Sequence, residues 1–472
     1  MRKSFCIISL TLLLIGGIQI YAQTLSQEQI SAIEKVIIEE MKTASVPGVA
    51  LGIINNNMVV YEKGFGQANN QTRMPMTDST IFQIASVTKT FTALTVLNEL
   101  RKANFGVHEP VGKVIQGLSP VVSSVTFHQL LTHTGGLKDY TNLKDKTNVF
   151  DFYEEIGDSI LFIEPGKLFS YSNTGYALLD LVIEQLSGMN YHEAVVENVI
   201  KPLKLHNTSF DIYESAAKSL SAGHVWTDKG LVPEIYHCEK PLVRAAGGLF
   251  SNIQDLERLT TCLMNDGIFE GVQVFNPDII EQMRQPYAED FQASASTYFG
   301  ASNAPNSAYG QGIWMFDYGN YRINVTAGGG TQMTMVFYEP EAKFAYIFTS
   351  NKAWEFMLNS MNKIFEIVLG EKLSGIIDFK SDQAEWKDIS GRYYLPAYRS
   401  KQAGFAEISE IDDKIYVNFN EAGALELEQI GTLTYRFSAP YSRFPTAIIF
   451  HRDESAEVTS LKHVWRTWLK AE

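Results

Sequence analysis

Residues 81–91 read IFQIASVTKTF and place Ser86 three positions before Lys89. The apolar flanks predict a buried helix, and this spacing puts both side chains on one helix face, a turn apart. Unpaired N–H groups and the positive dipole end at a helix N-terminus favour an anion that forms on a substrate. The same field disfavours an ammonium, so we expect Lys89 to be able to take the proton of a nucleophilic Ser86.

The Ser-x-x-Lys pattern alone is weak, because residues 215–218 and 360–363 match it too. On four residues, an ordinary N-cap serine followed by a solvated lysine is the alternative interpretation. The surroundings of Ser86 therefore have to decide between a catalytic and a structural role.

A second element follows the Glu-Pro-Gly turn at residues 164–166. The stretch FSYSN, residues 169–173, leads into a predicted helix and would present Tyr171 and Asn173 from a loop. A tyrosine at such a place can shuttle a proton, and an asparagine can bond both Lys89 and a substrate amide. Tyr-x-Asn also occurs at residues 140–142, 318–320 and 416–418, but only Tyr171 combines the turn, the helix and the apolar surroundings.

The third element is AGGGT, residues 327–331, between two strand patterns. Its glycines, Gly328, Gly329 and Gly330, would permit close approach of a substrate to the strand edge. The backbone N–H groups of Ser86 and Gly330 could then form an oxyanion hole. A β-bulge or a tight turn is the structural alternative.

In this order, the three elements resemble the serine β-lactamase and penicillin-binding protein superfamily, in particular class C β-lactamases, D-alanyl-D-alanine carboxypeptidases and related esterases. The stretches LLTHTGGL (130–137), AAGGLFS (245–251) and YGQG (309–312) strengthen the resemblance, which covers roughly residues 24–370. The tail from about residue 380 is similar to the lipocalin-like β-domain that follows many such hydrolases.

The resemblance implies an acyl-enzyme mechanism without a cofactor. Ser86 would attack a carbonyl, Lys89 and Tyr171 would relay its proton, and the Ser86 and Gly330 amides would hold the oxyanion. Asn173 and residues 328–330 would bind the substrate, a small molecule or a peptide. His133 would be structural.

One position departs from the family pattern. Members with β-lactamase or carboxypeptidase activity usually carry Lys or His where this chain has Ala327. A methyl group cannot pair with a substrate carboxylate, an interaction worth on the order of 1.5–3 kcal/mol. The sequence therefore favours an esterase or peptidase over a β-lactamase or D-Ala-D-Ala carboxypeptidase, unless Arg244 or Arg322 supplies the cation. A non-catalytic protein that binds peptides or cell-wall fragments is a further alternative.

The order of patterns predicts an α+β fold. A β-hairpin near the N-terminus, strands near residues 321–350 and a closing helix would build one antiparallel sheet, flanked by helices and interrupted by a helical insert. We expect a hydrolase domain at residues 23–370, a linker at 371–384 and a small β-barrel at 385–472.

Composition narrows the partners and the compartment. The 472 residues carry 39 Lys and Arg against 53 Asp and Glu, a net charge of −14, which argues against a nucleic-acid partner. Residues 1–22 have the layout of a signal peptide, so we expect a periplasmic or secreted protein without stable membrane insertion. Whether Cys238 and Cys262 form a disulfide stays open, as does the oligomeric state.

Overall fold

The computed structural model describes residues 24–139, 148–211, 219–234, 241–288, 307–352, 358–370, 383–395, 404–420, 423–437, 446–453, 455–463 and 466–471. The predicted signal peptide, most of the predicted linker and Cys238 lie outside these ranges. Cys262 lies within them and is a buried free thiol.

The α-helices of the described residues are numbered here in chain order. They are α1 Gln27–Ala44, α2 Thr88–Lys102, α3 Pro120–Ser124, α4 Phe127–Leu131, α5 Val149–Ile156, α6 Asn173–Ser187, α7 Tyr191–Val195, α8 Pro241–Gly247, α9 Ile253–Met264, α10 Pro277–Met283, α11 Leu358–Leu369 and α12 Trp386–Ile389.

Strands up to residue 350 form one large sheet and three two-stranded pairs. They are β1 Gly48–Asn55, β2 Met58–Asn69, β3 Met74–Pro75, β4 Phe82–Gln83, β5 Gly223–Thr227, β6 Gly230–Glu234, β7 Phe250–Ser251, β8 Ile268–Phe269, β9 Val272–Gln273, β10 Ala308–Tyr309, β11 Trp314–Tyr318, β12 Tyr321–Gly329, β13 Met333–Glu339 and β14 Phe344–Ser350. The large sheet is antiparallel, in the order β10-β11-β12-β13-β14-β1-β2-β3.

The large sheet joins both ends of the first 370 residues, as the sequence predicted. Val49 in β1 pairs with Ser350 in β14, so two strands about 300 residues apart in the sequence are hydrogen-bonded neighbours in the sheet. Side chains of β1 alternate between two hydrophobic cores, as the period of a strand requires. Ala50 and Ile54 pack with the helical insert, whereas Leu51 and Ile53 pack with α1 and α11.

Helix α1 begins and ends with strong capping signals. Ser26 accepts from the Gln29 N–H at 3.1 Å, and the Gln29 side chain accepts from the Ser26 N–H at 3.0 Å, which completes a capping box. The helix ends at Ser45, which has a left-handed backbone conformation with φ 53°. These local signals fix the residues at which the helix begins and ends.

The last part of the chain forms a second antiparallel sheet. Its strands are β15 Gly391–Leu395, β16 Gly404–Ile411, β17 Lys414–Phe419, β18 Ala424–Glu426, β19 Glu428–Gly431, β20 Thr434–Phe437, β21 Thr446–Arg452, β22 Val458–His463 and β23 Arg466–Lys470. The order is β18-β17-β16-β15-β23-β22-β21-β20-β19. The two outermost strands are separated only by Leu427, so the sheet curls round into an almost closed barrel.

The α+β prediction is therefore confirmed, with local differences. The glycine-rich stretch lies only partly between two strands: Gly328 and Gly329 are the last residues of β12, and the turn to β13 begins at Gly330. The helix that starts at Tyr191 is α-helical only to Val195 and continues as a π-helix over Val196–Ile200. Among the described residues no helix is long and apolar enough to cross a membrane.

One buried acid faces the large sheet from the helical side. Glu257 on α9 lies against Gly52 of β1, where a Cβ atom would stand only 2.3 Å from Glu257 Oε1. Burial raises the pKa of the Glu257 carboxyl to about 10, and a hydrogen bond to Glu62 acts in the same direction. Between about pH 4.5 and about pH 10, the Glu257 carboxyl is therefore protonated in the folded protein and ionised in the unfolded chain.

We expect Glu257→Gln to change how stability depends on pH. Because the folded-state pKa lies above the unfolded value, this group's contribution is full below about pH 4.5 and is lost as pH rises towards 10. The loss is at most about 1.4 kcal/mol per pH unit. The glutamine variant should therefore unfold at higher urea than the wild type at about pH 9 and converge with it near about pH 5. If the free energy of unfolding depended on pH in the same way in both proteins, the raised pKa of Glu257 would be contradicted.

Candidate active site

Ser86 and Lys89 meet at the start of α2. Ser86 lies in a single 3₁₀ turn, Ala85–Val87, which runs directly into α2. The Lys89 Nζ atom is 3.2 Å from Ser86 Oγ and donates to it. Ser86 is half-buried, whereas Lys89 is only 1% exposed. The structure thus brings together the hydroxyl and the amine of the first sequence element.

The Lys89 amine lies among three oxygen atoms. Besides Ser86 Oγ, it donates to Asn173 Oδ1 at 2.8 Å and to the Ala246 carbonyl at 2.7 Å. Three donated bonds are those of an ammonium. A neutral amine donates only two, to Asn173 and the Ala246 carbonyl, and its lone pair then faces Ser86 Oγ, whose O–H donates to it. The arrangement can accept the serine proton without moving the lysine side chain. Ala246 belongs to the motif at residues 245–251, which gave no hint of this contact.

The backbone around Ser86 is strained and tightly packed. Ala85 has φ 45°, a left-handed conformation that costs a residue with a Cβ on the order of 1–3 kcal/mol. Gly328 of β12 lies against this turn: a Cβ atom there would stand 2.1 Å from the Ile84 carbonyl oxygen and 2.5 Å from the Ser86 nitrogen. Only glycine fits at this position, and the strand edge therefore passes directly beside the Ser86 N–H.

Tyr171 is stacked within the same cluster. Its ring centroid lies 4.7 Å from Lys89 Nζ, 4.1 Å from the His133 ring and 5.9 Å from the nearly parallel Trp314 ring. The side chain is 5% exposed. The rings fix the phenol in one orientation, because a packed aromatic side chain has little freedom to rotate.

The segment before α6 is held from two sides. His133 accepts from the Ser172 N–H through Nδ1 at 3.1 Å, and its carbonyl accepts from the Ser170 N–H at 2.9 Å. On the other side, Thr467 of β23 donates its hydroxyl to the Phe169 carbonyl at 2.6 Å. The barrel-like sheet thus contacts the chain two residues before Tyr171.

Asn173 is the first residue of α6 and links Lys89 to a residue that the sequence analysis missed. Asp139 accepts from the Asn173 N–H at 3.1 Å and from Asn173 Nδ2 at 3.1 Å. Asp139 follows the motif at residues 130–137 by two positions. Nothing in a single sequence indicated that it would face Asn173.

The third element has a different geometry from the one expected. The Gly330 N–H donates to the Gln332 carbonyl at 2.9 Å, inside the turn that follows β12. The Gln332 side chain anchors this turn by accepting from the Gln83 N–H and donating to the Ser221 carbonyl. In this conformation Gly330 can serve as an oxyanion donor only if the hydrogen bond to Gln332 is exchanged for one to the substrate.

The position of the missing family cation is filled by a small buried side chain. Ala327 is 8% exposed and packs in the same core as Met335, its neighbour across the β12–β13 pair. Arg244 is bound to Asp180 and Glu184. Arg322 pairs with Asp317 and lies five residues along β12, roughly 16 Å away at strand rise. Neither arginine replaces the cation in this conformation.

The competing pattern matches that fall in the described residues lie elsewhere. Ser360 and Lys363 belong to α11, which packs with α1. Tyr318 donates its hydroxyl to Asn362, also on α11. Among the described residues, no group of three or more His, Cys, Asp or Glu side chains could hold a metal ion.

Comparison with known proteins identifies the class. The family model described as Beta-lactamase matches residues 33–361, so the chain belongs to the β-lactamase family. This family comprises serine hydrolases that act on amide or ester bonds. Protein flp of Staphylococcus aureus strain N315 is 28% identical over 208 residues, which are 42% of this chain and 41% of that protein. Penicillin-binding protein 4* of Bacillus subtilis strain 168 is 30% identical over 159 residues, 32% of this chain and 35% of that protein.

Two solved structures share the fold. The octameric penicillin-binding protein homologue from Pyrococcus abyssi superposes with a TM-score of 0.66 at 24% identity, over 94% of this chain and 100% of that one. SurE with D-Leu superposes with a TM-score of 0.71 at 20% identity, again over 94% and 100%. The alignments with the curated relatives span about two fifths of their length or less.

We expect Gly328→Ala to displace the nucleophile. The added methyl group meets two backbone atoms of the 84–86 segment, so the Ser86 turn has to shift, and a shift of this size costs about a hundredfold in acylation rate. The measurement is the rate of labelling by a fluorophosphonate. Gly330→Ala is the matched control for folding, since a Cβ atom there has no neighbour within 4 Å and should leave the melting temperature unchanged. Labelling of Gly328→Ala at the wild-type rate would contradict the packing argument.

Proposed function

We propose that this chain is an exported serine hydrolase that cleaves an ester or amide bond through an acyl-Ser86 intermediate. The proposal rests above all on the approach of Lys89 Nζ to Ser86 Oγ at 3.2 Å, in a cluster that also contains Tyr171 and Asn173. Membership of the β-lactamase family supports it. Export is proposed from the leader pattern of residues 1–22 alone.

The proposed reaction uses only these residues, the substrate and water. Ser86 Oγ forms a bond to the substrate carbonyl carbon while Lys89 and Tyr171 take the serine proton. The tetrahedral intermediate collapses, the bond to the alcohol or amine breaks, and the relay returns the proton to this leaving group. Water then attacks the acyl-Ser86 ester, which gives a carboxylic acid and restores the serine hydroxyl.

Oxyanion stabilisation has one donor already beside the serine and one that has to be released. The Ser86 nitrogen lies beside β12 at Gly328. The Gly330 N–H would join it after giving up its bond to Gln332. A substrate carbonyl that accepts from both N–H groups replaces one neutral hydrogen bond by a charge-assisted one, which is stronger by about a factor of two. The second donor would then act in the transition state more than in the free enzyme.

We expect labelling and turnover to depend on Ser86. Full-length wild-type protein should gain the mass of one fluorophosphonate and hydrolyse a nitrophenyl ester, and Ser86→Ala should lose both by at least about a thousandfold. Ser360→Ala is the matched control, because it removes the serine of another Ser-x-x-Lys match and should keep both activities. Equal labelling of Ser86→Ala and wild type would overturn the proposal. Tight peptide binding without turnover would support the non-catalytic alternative instead.

We also propose that the preferred substrates have no carboxylate next to the scissile bond. Ala327 offers only a buried methyl group, and Arg244 and Arg322 are each paired with acidic side chains. A substrate carboxylate bound there would lose its water without gaining a cation. This feature favours an esterase or peptidase over a β-lactamase.

A pair of acyl substrates that differ only in a free carboxylate or its methyl ester tests this preference. We expect kcat/KM for the methyl ester to exceed that for the acid by about tenfold or more. Ala327→Lys should narrow the ratio, because it supplies the charge that the family usually has at this position. A wild-type preference for the free acid would refute this assignment of substrate class while leaving the Ser86 proposal intact.

A further inference from the structure

We infer that Asp139 is a positioning residue of the catalytic centre, which acts on Lys89 by fixing the amide of Asn173. The inference deepens the proposed function and rests on it. Asp139 is 5% exposed, and both of its carboxylate oxygens point at the first turn of α6. A buried carboxylate at this place needs hydrogen-bond donors, and Asn173 supplies two of them.

The hydrogen bonds define a chain of three side chains. Asn173 Nδ2 donates to Asp139 Oδ2 at 3.1 Å, and Asn173 Oδ1 accepts from Lys89 Nζ at 2.8 Å. A carboxylate only accepts hydrogen bonds, so it forces the amide nitrogen towards itself and the amide oxygen towards the lysine. Without that constraint the two orientations of the amide would compete, and one of them would present donors to Lys89.

Asp139 Oδ1 anchors the carboxylate itself. It accepts from the Asn173 N–H at 3.1 Å and from Thr174 Oγ1 at 3.4 Å, at the positive end of the α6 dipole. With both oxygens occupied, the carboxylate cannot rotate without breaking contacts. Asp139 therefore holds the Asn173 amide in place relative to the start of α6, and the amide in turn positions the Lys89 amine.

A purely structural capping role is the competing explanation, and the chain offers a matched control for it. Asp255 is also a buried carboxylate that accepts from backbone N–H groups, those of His206 and Asn207, and from a threonine hydroxyl, that of Thr208. It has no hydrogen bond to Asn173 or Lys89 among those that the structure shows for the described residues. Asp255→Asn should therefore report the cost of losing a buried acceptor without the effect on the lysine.

The first measurement compares the two asparagine variants in full-length protein. Asp139→Asn places a donor against either the Asn173 N–H or its Nδ2, and the Asn173 amide turns its nitrogen to Lys89. We expect kcat for a nitrophenyl ester to fall by about tenfold to a hundredfold. Asp255→Asn should lower the melting temperature at least as much and change kcat by less than about threefold. Similar kcat values for both variants would leave Asp139 with a capping role only.

The second measurement is a compensating pair. In Asp139→Asn with Asn173→Asp, the amide introduced at position 139 donates to the carboxylate introduced at position 173 and accepts from the backbone N–H, while the second carboxylate oxygen faces Lys89. The carboxylate beside Lys89 favours the ammonium, so we expect this double variant to recover kcat by about tenfold over Asp139→Asn only above the wild-type pH optimum, with a raised KM because the amide that would bind substrate is gone. Asn173→Asp alone should be inactive, because two buried carboxylates then face each other.

The outcomes separate this inference from the proposed function. If wild type shows neither labelling nor turnover, the proposed function fails, and the positioning role, which rests on it, falls with it. If wild type is active and the double variant is no better than Asp139→Asn at any pH, including above the wild-type optimum, the positioning role is refuted while the serine mechanism stands. Recovery of kcat in the double variant supports the chain from Asp139 through Asn173 to Lys89.

Discussion

The burial of one amine determines how this site is built. Lys89 is almost fully enclosed, and an amine taken out of water needs acceptors at hydrogen-bond distance. The protein supplies three from different parts of the chain: Ser86 Oγ, Asn173 Oδ1 and the Ala246 carbonyl. The start of α2, the start of α6 and the end of α8 therefore have to meet at one point. The helical insert is organised around this requirement.

A second constraint lies on the sheet side. The left-handed Ala85 and the absence of a side chain at Gly328 let β12 pass within van der Waals contact of the serine backbone. Strain at Ala85 is offset by the surrounding core, which is continuous from α2 into the insert. The nucleophile is thus fixed by its backbone as well as by Lys89, and a substrate lying along the strand edge would meet it in one orientation.

The parts of the architecture that could be predicted from the sequence depend on local patterns of residues. The β-hairpin near the N-terminus and the spacing of Ser86 and Lys89 are set by neighbouring residues, so they can be read from one chain. Asp139, Ala246 and Thr467 could not be found in this way. Their partners lie 34, 157 and 298 positions away, and only the folded topology brings those pairs together. The hydrogen bond within the Gly330 turn was equally hidden, because it depends on how Gln332 is held by Gln83.

The hydrogen bond from Thr467 to Phe169 has a consequence for the maturation of the protein. Thr467 follows every other residue of the site along the chain, so it is synthesised after all of them. The segment that carries Tyr171 towards Lys89 thus receives its final restraint only once the last strand of the barrel has been made. A chain that ends before the barrel would contain Ser86, Lys89 and Tyr171, yet it would lack this tether of the loop.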